Sequence, residues 1–382
     1  MSGRPRSALL QILQNAGPQR VLEAKIPDFG LADNLPYPFL AMVGQVEMRT
    51  ALLLAVINPA VNGVLLIGPR GTGKTTAVRS LTSILPAIEV SDCEEGVLPS
   101  DLENDSARYL YPDCYEKHQA GESISHFETV RLVELPLNAR LEDVVGGINE
   151  RIAVQRGEVR LERGILARAD NNLLYIDEIN LLENQIVDAI LDAAAQGSYT
   201  VRRGAMAGTY RSRFVLIGSM NPEEGYLRPQ IMDRIGLRVN VRGLADVADR
   251  LEIYRRVRHY RRNPQAFIRE WEPQTAQMHD EIMQAQELLR ETELDAKAVE
   301  TALTLIQALE IDSARAEYTL FEAARAHAAA DGRTLATVDD IRIVAPLALR
   351  QRRSEFMSKY FETQRQEDDE IHRTFDQLME HR

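Results

Sequence analysis

Cysteine and long hydrophobic runs are both scarce in this chain of 382 residues, which has only two cysteines, Cys93 and Cys114. Neither belongs to a CxxC pair, so the sequence predicts two free thiols rather than a zinc site or a disulfide framework. No apolar run approaches the roughly 20 residues that a bilayer-spanning helix needs. The first residues also lack the pattern of a secretory signal or a transit peptide, so we expect a cytoplasmic protein without a transmembrane segment.

The chain also lacks an excess of positive charge, because its formal net charge is −12. Neutralisation of phosphates dominates binding to nucleic acid, so nucleic acid is not an expected partner. One local exception is "RLEIYRRVRHYRR", from Arg250 to Arg262, which contains six arginines. On a helix they would spread around several faces, which favours a solvated or subunit-facing helix over a nucleic-acid site.

Hydrophobic periodicity divides the chain into an α/β part and an all-helical part. Helical patterns alternate with five short apolar runs, "GVLLIG", "VRLVELPL", "LLYIDEI", "RFVLIGSM" and "GLRVNV". This alternation is typical of a parallel sheet between two layers of helices. Residues 87–128 look like an irregular polar insertion, and after about residue 245 only helical patterns follow. We therefore predict an extension over 1–37, an α/β core over 38–245 and a helical domain over 246–382, which ends in a charged tail.

A glycine-rich motif joins the first predicted strand to the next helix. "GPRGTGKT", from Gly68 to Thr75, fits G-x-x-x-x-G-K-[ST], in which backbone N–H groups and a helix N-terminus cradle phosphates. Lys74 would contact the β- and γ-phosphates and Thr75 would ligate Mg²⁺, so ATP and Mg²⁺ are the predicted cofactors. The predicted nucleotide-binding residues are Gly68, Pro69, Arg70, Gly71, Thr72, Gly73, Lys74, Thr75 and Thr76.

Two further strands end in polar residues suited to ATP hydrolysis. In "LLYIDEIN", Asp177 at the strand tip would hold the hydration shell of Mg²⁺, and Glu178 would orient and polarise the attacking water. In "VLIGSMNPEEG", Asn221 falls just beyond an apolar strand. If that strand lies between the other two, the Asn221 amide can reach the γ-phosphate or the water.

The three elements, in this order and followed by a helical domain, resemble the AAA+ ATPases. The resemblance implies an arginine before the next strand that reaches the nucleotide of a neighbouring subunit. Arg234 in "RPQIMDRIGL" fits that position, and Arg228 or Asp233 could order the loop around it.

The AAA+ resemblance also implies a second sensor arginine near the start of a helix in the C-terminal domain. Arg315 in "IDSARAEYTL" is the candidate, and Ser313 or Asp312 is the expected helix cap. Glu178, Asn221, Arg234 and Arg315 are thus the predicted catalytic residues, and Thr75 and Asp177 the predicted metal site.

Within the AAA+ proteins, residues 38–350 resemble the magnesium chelatase I subunit family. The resemblance includes "ELPLNARLEDVVGGINERIAVQRGEVRLERGILARADNNLLYIDEIN" and "RFVLIGSMNPEEGYLRPQIMDRIGL". Its "LPL…EDVVGG" segment and its "GILARA…LLYIDE" run are more specific than the glycine-rich motif. The resemblance implies β-hairpins over about 145–165 and over Gly197–Phe214, and a helical domain behind the nucleotide site. It also implies a homo-oligomer in the form of a hexameric ring. That ring would work with a D subunit and a porphyrin-binding H subunit to insert Mg²⁺ into protoporphyrin IX, towards chlorophyll or bacteriochlorophyll.

Other members of the AAA+ class stay open at this point. The D subunit is disfavoured, because the chain has neither its acidic, proline-rich linker nor a D-x-S-x-S metal-binding motif. A metal-insertion chaperone of the MoxR type is one alternative. An MCM-like DNA translocase is another, since four arginines flank the predicted second hairpin, namely Arg202, Arg203, Arg211 and Arg213.

Overall fold

The computed structural model describes residues 35–93, 97–102, 111–148, 161–203 and 206–353. Most of the predicted N-terminal extension, the tip of the predicted first hairpin and the charged C-terminal tail lie outside these ranges.

A five-stranded parallel sheet forms the centre of the fold. The described strands are β1 (Val64–Ile67), β2 (Ile88–Ser91), β3 (Ser125–Glu128), β4 (Leu132–Leu135), β5 (Gly146–Ile148), β6 (Leu161–Arg163), β7 (Leu173–Ile176), β8 (Ser198–Arg203), β9 (Met206–Arg211), β10 (Val215–Met220), β11 (Leu237–Asn240), β12 (Glu293–Leu294) and β13 (Leu335–Ala336). The central sheet has the order β11–β1–β10–β7–β4, and all of its neighbouring strands are parallel. These are the five strands that the sequence predicts. β10 lies between β1 and β7, which is the arrangement that the expectation for Asn221 required.

Helices cover both faces of this sheet. The described α-helices are α1 (Val46–Ile57), α2 (Lys74–Leu81), α3 (Pro112–Gln119), α4 (Leu141–Val145), α5 (Ile165–Arg168), α6 (Asn184–Gln196), α7 (Pro229–Arg234), α8 (Val247–Arg262), α9 (Pro264–Leu288), α10 (Ala296–Ala308), α11 (Ala314–Ala330) and α12 (Val338–Leu349). One face packs against α1, α2 and helices α9 to α12, and the other packs against α4 to α7. Every residue of β1 and β7 is buried, because central strands have apolar neighbours on both sides.

The segment predicted to be an irregular insertion contains regular structure, so that prediction was wrong for its described residues. β2 and β3 form an antiparallel pair, and α3 lies between them in the chain. Four buried side chains form a small separate core there, from Val97, Leu102, Cys114 and Ile124. The two strands are only four residues long and pair across a long stretch of chain, so no local pattern reveals them. Cys93 and Cys114 are free thiols, as predicted.

Both predicted hairpins form antiparallel pairs. β5 pairs with β6 at the base of the first, and β8 pairs with β9 in the second. The helical part contains one departure from the prediction, a two-residue parallel pair between β12 and β13. β11 ends at Asn240 and α8 begins at Val247, while the exact domain boundary stays a prediction. Among the described helices, none combines the length and the apolar character needed to span a bilayer.

Candidate functional site

The glycine-rich loop connects β1 to α2, and two of its glycines supply turns that other residues rarely adopt. Gly71 and Gly73 have φ values of 78° and 86°, in the left-handed region. Apart from the glycine itself and its two neighbours in the chain, no heavy atom lies within 4 Å of the position that a Cβ would take at either glycine, so the loop borders open space. α2 begins at Lys74, so the positive end of its dipole lies at the same loop.

This loop borders a cavity of 310 Å³ that brings together most of the predicted site residues. Its lining consists of Arg70, Gly71, Thr72, Gly73, Lys74, Thr75, Thr76, Asp177, Glu178, Ser219 and Asn221. Gly68 and Pro69 lie just outside the lining, and Arg234 and Arg315 are absent from it. A larger cavity, of 860 Å³, lies at the amino-terminal ends of β7 and β10, and its lining includes none of the predicted site residues.

Lys74 lies in this cavity with its ammonium group against the loop. Its Nζ donates to the carbonyl oxygens of Gly68 at 2.7 Å and Pro69 at 2.8 Å. Burial lowers the pKa of Lys74, and the nearby carboxylates of Asp177 and Glu178 oppose that shift. The ammonium group is thus partly desolvated, and a phosphate oxygen could replace either carbonyl as its partner.

Lys74→Ala should weaken nucleotide binding about 10- to 100-fold, because a hydrogen bond to a charged group contributes about 1.5–3 kcal/mol. Calorimetric titration of the isolated subunit with ATP would measure this. Arg79→Ala is a matched control, since Arg79 lies on the same helix but pairs with Glu134 at 2.8 Å, outside the cavity. Unchanged affinity in Lys74→Ala, or an equal loss in Arg79→Ala, would contradict the assignment.

Asp177 is held in place by hydroxyl groups on two neighbouring strands. Tyr175 Oη donates to Asp177 Oδ1 at 2.8 Å, and Ser219 Oγ donates to the same oxygen. Thr75 Oγ1 lies 3.1 Å from Tyr175 Oη, so one tyrosine hydroxyl links the loop to the aspartate. Burial raises the pKa of Tyr175 to about 12, so this hydroxyl keeps its proton at neutral pH.

The sequence analysis missed the roles of Tyr175 and Ser219. A detectable pattern existed for Tyr175, because it precedes Asp177 by two residues in a strand and therefore points to the same face. Ser219 offered no such pattern, since its contact with Asp177 depends on the pairing of β7 with β10.

Glu178 follows Asp177 with an unusual backbone conformation. Its φ is 51°, a left-handed value that non-glycine residues seldom adopt and that often marks functional sites. Its carboxylate accepts from Arg70 Nη2 at 3.0 Å, and the same guanidinium group pairs with Glu224 at 2.6 Å. The Arg70 side chain is 71% exposed, so water screens these ion pairs and they can exchange. The Glu178 carboxylate thus lies at the cavity and can exchange its ion-pair partner.

Asn221 lies at the carboxyl end of β10 and is 4% exposed. Its Oδ1 accepts from the backbone N–H of Glu223 at 3.3 Å and caps a short 3₁₀-helix. Because the oxygen is used for the cap, the amide –NH₂ is the group that can donate into the cavity, where a phosphate oxygen or a water would accept.

The residues of the cavity fit a nucleotide with its Mg²⁺. The loop would supply N–H donors and an ammonium group for phosphates, while Thr75 and Asp177 would offer hard oxygen atoms, which Mg²⁺ prefers, to the ion or to its water shell. Few protein ligands are needed, because Mg²⁺ keeps several waters and binds phosphate oxygens in such sites. When bound, Mg²⁺ would neutralise charge on the phosphate oxygens.

Arg234 lies near the amino-terminal ends of the sheet strands, opposite the end at which the cavity lies. It is the last residue of α7, and β11 starts three residues later beside the start of β1. The cavity lies beyond the opposite, carboxyl ends of the strands, and a four-residue strand spans about 13 Å. Arg234 is therefore remote from the Lys74 of its own chain. Its Nη1 pairs with Asp192 at 2.8 Å and lies 3.6 Å from Asp188, both on α6.

Arg315 lies close to Arg234 along the surface rather than in the cavity. Its Nη1 is 3.2 Å from the carboxylate of Asp233, the residue before Arg234. Ser313 caps α11 and donates to the same carboxylate at 2.9 Å, so Ser313 and not Asp312 is the helix cap. Asp233, rather than Arg228, makes the ordering contacts in this segment: no hydrogen bond or ion pair of the Arg228 side chain occurs among the described residues.

The sheet order, the loop after β1, the acidic pair after β7 and the asparagine after the intervening β10 together define an AAA+ ATPase. The chain belongs to the family of the magnesium chelatase subunit ChlI. The family model "Magnesium chelatase, subunit ChlI" matches residues 39–107 and 148–231, and the model of the AAA lid domain matches residues 299–374. Members of the AAA+ class use a nucleotide and Mg²⁺, in agreement with the composition of the cavity.

Relatives support this membership over most of the chain. A "Magnesium-chelatase subunit ChlI homolog" of Methanocaldococcus jannaschii is 42% identical over 84% of this chain and 87% of its own length. The "Magnesium-chelatase 38 kDa subunit" of Acidiphilium rubrum is 41% identical over 83% and 90%, respectively. A crystal structure of a putative ATPase from Cytophaga hutchinsonii, 18% identical, matches with a TM-score of 0.53 over 82% of this chain and 83% of that one. At that identity the likeness concerns the fold alone.

Proposed function

We propose that this protein is the ATP-hydrolysing motor subunit of a magnesium chelatase, which drives insertion of Mg²⁺ into protoporphyrin IX together with D and H subunits. The observation that carries the proposal is the single cavity that contains Lys74, Asp177, Glu178 and Asn221 in a chain of the ChlI family. The chelatase step itself rests on family membership, whereas ATP hydrolysis rests on these residues.

Each side chain of the cavity has a distinct role in the proposed hydrolysis. Lys74 binds the β- and γ-phosphates, while Tyr175 keeps Asp177 oriented towards the hydrated metal. Glu178 accepts the proton of the attacking water and aligns it with the γ-phosphate. Asn221 donates its amide to the γ-phosphate or to that water.

The position of Arg234 supports a ring in which neighbouring subunits complete each other's sites. Arg234 lies at the amino-terminal ends of the sheet strands and the cavity lies at their carboxyl ends. The arginine can therefore stabilise charge on a γ-phosphate only in the next subunit. Arg315 lies on the same side as Arg234, so we assign it to the neighbour's nucleotide as well. A closed ring, hexameric by family resemblance, gives every subunit both neighbours.

Reconstitution tests the chelatase function directly. The purified protein, mixed with D and H subunits, should form Mg-protoporphyrin IX only when ATP and Mg²⁺ are present, as followed by porphyrin fluorescence. Omission of any one component should abolish formation. ATP hydrolysis without Mg-protoporphyrin formation in the complete mixture would contradict the chelatase assignment and favour a MoxR-type chaperone.

The DNA translocase is the alternative that the basic residues of the second hairpin raised. Arg211 in β9 pairs with Asp101 at 2.7 Å, so an acidic partner already neutralises part of that charge. ATP hydrolysis should therefore be the same with and without duplex or single-stranded DNA at moderate salt. Stimulation that declines steeply with added salt would favour the translocase.

A further inference from the structure

Arg352, which follows the last helix α12, has a side chain that is 0% exposed. A guanidinium group carries five N–H donors, and here five acceptors surround it. Its Nε donates to the carbonyl oxygen of Ala348 at 2.7 Å. Its Nη1 donates to the carbonyl oxygen and the carboxylate of Asp233 at 3.0 and 2.7 Å. Its Nη2 donates to the carbonyl oxygens of Ile235 and Gly236 at 3.4 and 3.1 Å.

Most of these acceptors belong to the segment that carries Arg234. The oxygens of Asp233, Ile235 and Gly236 lie on both sides of Arg234 in the chain, so one guanidinium group fixes the backbone around it. Only arginine can make this set of contacts, because lysine has three donors on a single nitrogen and lacks the planar fork. The contacts also span two parts of the fold, since Arg352 follows a helix of the C-terminal part and Arg234 ends α7.

The same segment is fixed from its other side by the central sheet. The backbone N–H groups of Gly236 and Leu237 donate to the carbonyl oxygens of Asn62 and Gly63, each at 3.0 Å. A Cβ on Gly236 would lie 1.5 Å from the carbonyl oxygen of Val61, so the approach is too close for any other residue without movement. The backbone of residues 235–237 is therefore held between Asn62–Gly63 and Arg352, while Ser313 and Arg315 contact only the Asp233 side chain. Removal of Arg352 would release the carbonyl oxygens of Asp233, Ile235 and Gly236.

We propose that Arg352 is a positioning residue for Arg234. It holds the backbone of residues 233–236 so that the Arg234 guanidinium group reaches the nucleotide of the neighbouring subunit. This inference rests on the proposed role of Arg234. It also connects the C-terminal helices to hydrolysis in the next subunit, since any movement of the end of α12 acts on the segment that carries Arg234.

The test begins with Arg352→Lys, which keeps the charge, and with Arg352→Gln, which does not. Nucleotide affinity of the isolated subunit should stay at the parental value, because Arg352 is remote from the cavity of its own chain. Hydrolysis by the assembled protein should fall about 10- to 100-fold in Arg352→Lys, since a displacement of about 1 Å can cost that much, and further in Arg352→Gln. The matched control is Arg353→Gln, because Arg353 is 59% exposed and pairs with Glu310 rather than with the Arg234 segment. It should hydrolyse ATP at the parental rate.

Mixed assemblies separate positioning from general damage to the fold. Arg352→Lys subunits mixed with Glu178→Gln subunits should recover hydrolysis, because some interfaces then combine an intact cavity with an intact Arg234. Arg352→Lys mixed with Arg234→Ala should not recover, because both partners then lack a working arginine. A subunit that is merely destabilised would not recover hydrolysis with Glu178→Gln while failing to recover it with Arg234→Ala.

Three results would overturn the proposal. Hydrolysis at the parental rate in both Arg352 variants is one, and recovery with Arg234→Ala is another. The third is that Arg352→Lys subunits recover no hydrolysis with Glu178→Gln subunits, although the reference pair, Arg234→Ala with Glu178→Gln, does recover hydrolysis. That result overturns the positioning role alone. If that reference pair also fails in verified mixed assemblies, the role of Arg234 itself is wrong, and the positioning role with it.

Discussion

Replacement of Arg234 by alanine should lower ATP hydrolysis by the assembled protein at least about 10³-fold, because arginines of this kind contribute about 10³- to 10⁵-fold to turnover. The affinity of the isolated subunit for ATP should be unchanged. The reason is geometric, since Arg234 lies at the amino-terminal ends of the sheet strands and the cavity lies at their carboxyl ends. Steady-state phosphate release and calorimetric titration on the same preparations would measure the two quantities.

The variant should also fold normally, so that lost activity reports on chemistry. Among the described residues, Arg234 forms ion pairs with Asp188 and Asp192, whose side chains are 48% and 57% exposed. Exposed ion pairs contribute up to about 1 kcal/mol to the free energy of unfolding, so the melting temperature should change little. Arg228→Ala is the matched control, because Arg228 is an exposed arginine at the start of the same helix. It should keep most of the hydrolysis.

The decisive measurement mixes Arg234→Ala with Glu178→Gln subunits. Each variant alone lacks one half of every active interface, but in mixed rings some interfaces contain an intact Glu178 and an intact Arg234. Some hydrolysis should therefore return. If mixed rings are verified and no activity returns, the assignment of Arg234 to the neighbouring nucleotide is wrong.

How much of this site could be predicted depends on the range of the interactions involved. The glycine-rich loop and the Asp177–Glu178 pair could be predicted, because a strand, a turn and a helix start within a few residues of one another. The role of Asn221 needed one long-range assumption, that β10 lies between β1 and β7, and the structure confirms that order. What could not be predicted is any contact whose partners are adjacent only after the sheet has formed, such as Ser219 with Asp177.

The arginines illustrate the same limit. Motif order indicated Arg234 and Arg315, but nothing in the sequence indicates that Asp233 and Arg315, 82 residues apart, form an ion pair. Arg352 was not identified at all, since an arginine after a helix usually remains in water. Arg352 is surrounded by carbonyl oxygens from the end of α7 and from the two residues before β11, and that depends on how the C-terminal helices pack on the sheet. The insertion over 87–128 was misjudged for the same reason.

Glu178→Gln should allow nucleotide binding but lower hydrolysis about 10²- to 10⁴-fold, the usual contribution of a general base. The amide of glutamine has nearly the shape of the carboxylate, so the cavity should keep its form, but it cannot accept a proton from water. Both residues would have the same left-handed backbone at φ 51°, so backbone strain is not a confounding difference. Rapid mixing with ATP should give normal binding followed by almost no phosphate release.

A second effect of this substitution has to be separated from the loss of the base. Arg70 forms ion pairs with both Glu178 and Glu224, so Glu178→Gln also removes one of these two ion pairs. Glu224→Gln removes the other ion pair and leaves the Glu178 carboxylate intact. Because Arg70 is largely exposed and such ion pairs contribute at most about 1 kcal/mol, Glu224→Gln should change hydrolysis less than about fivefold. An equal loss in both variants would show that the position of Arg70, and not proton transfer to Glu178, limits turnover.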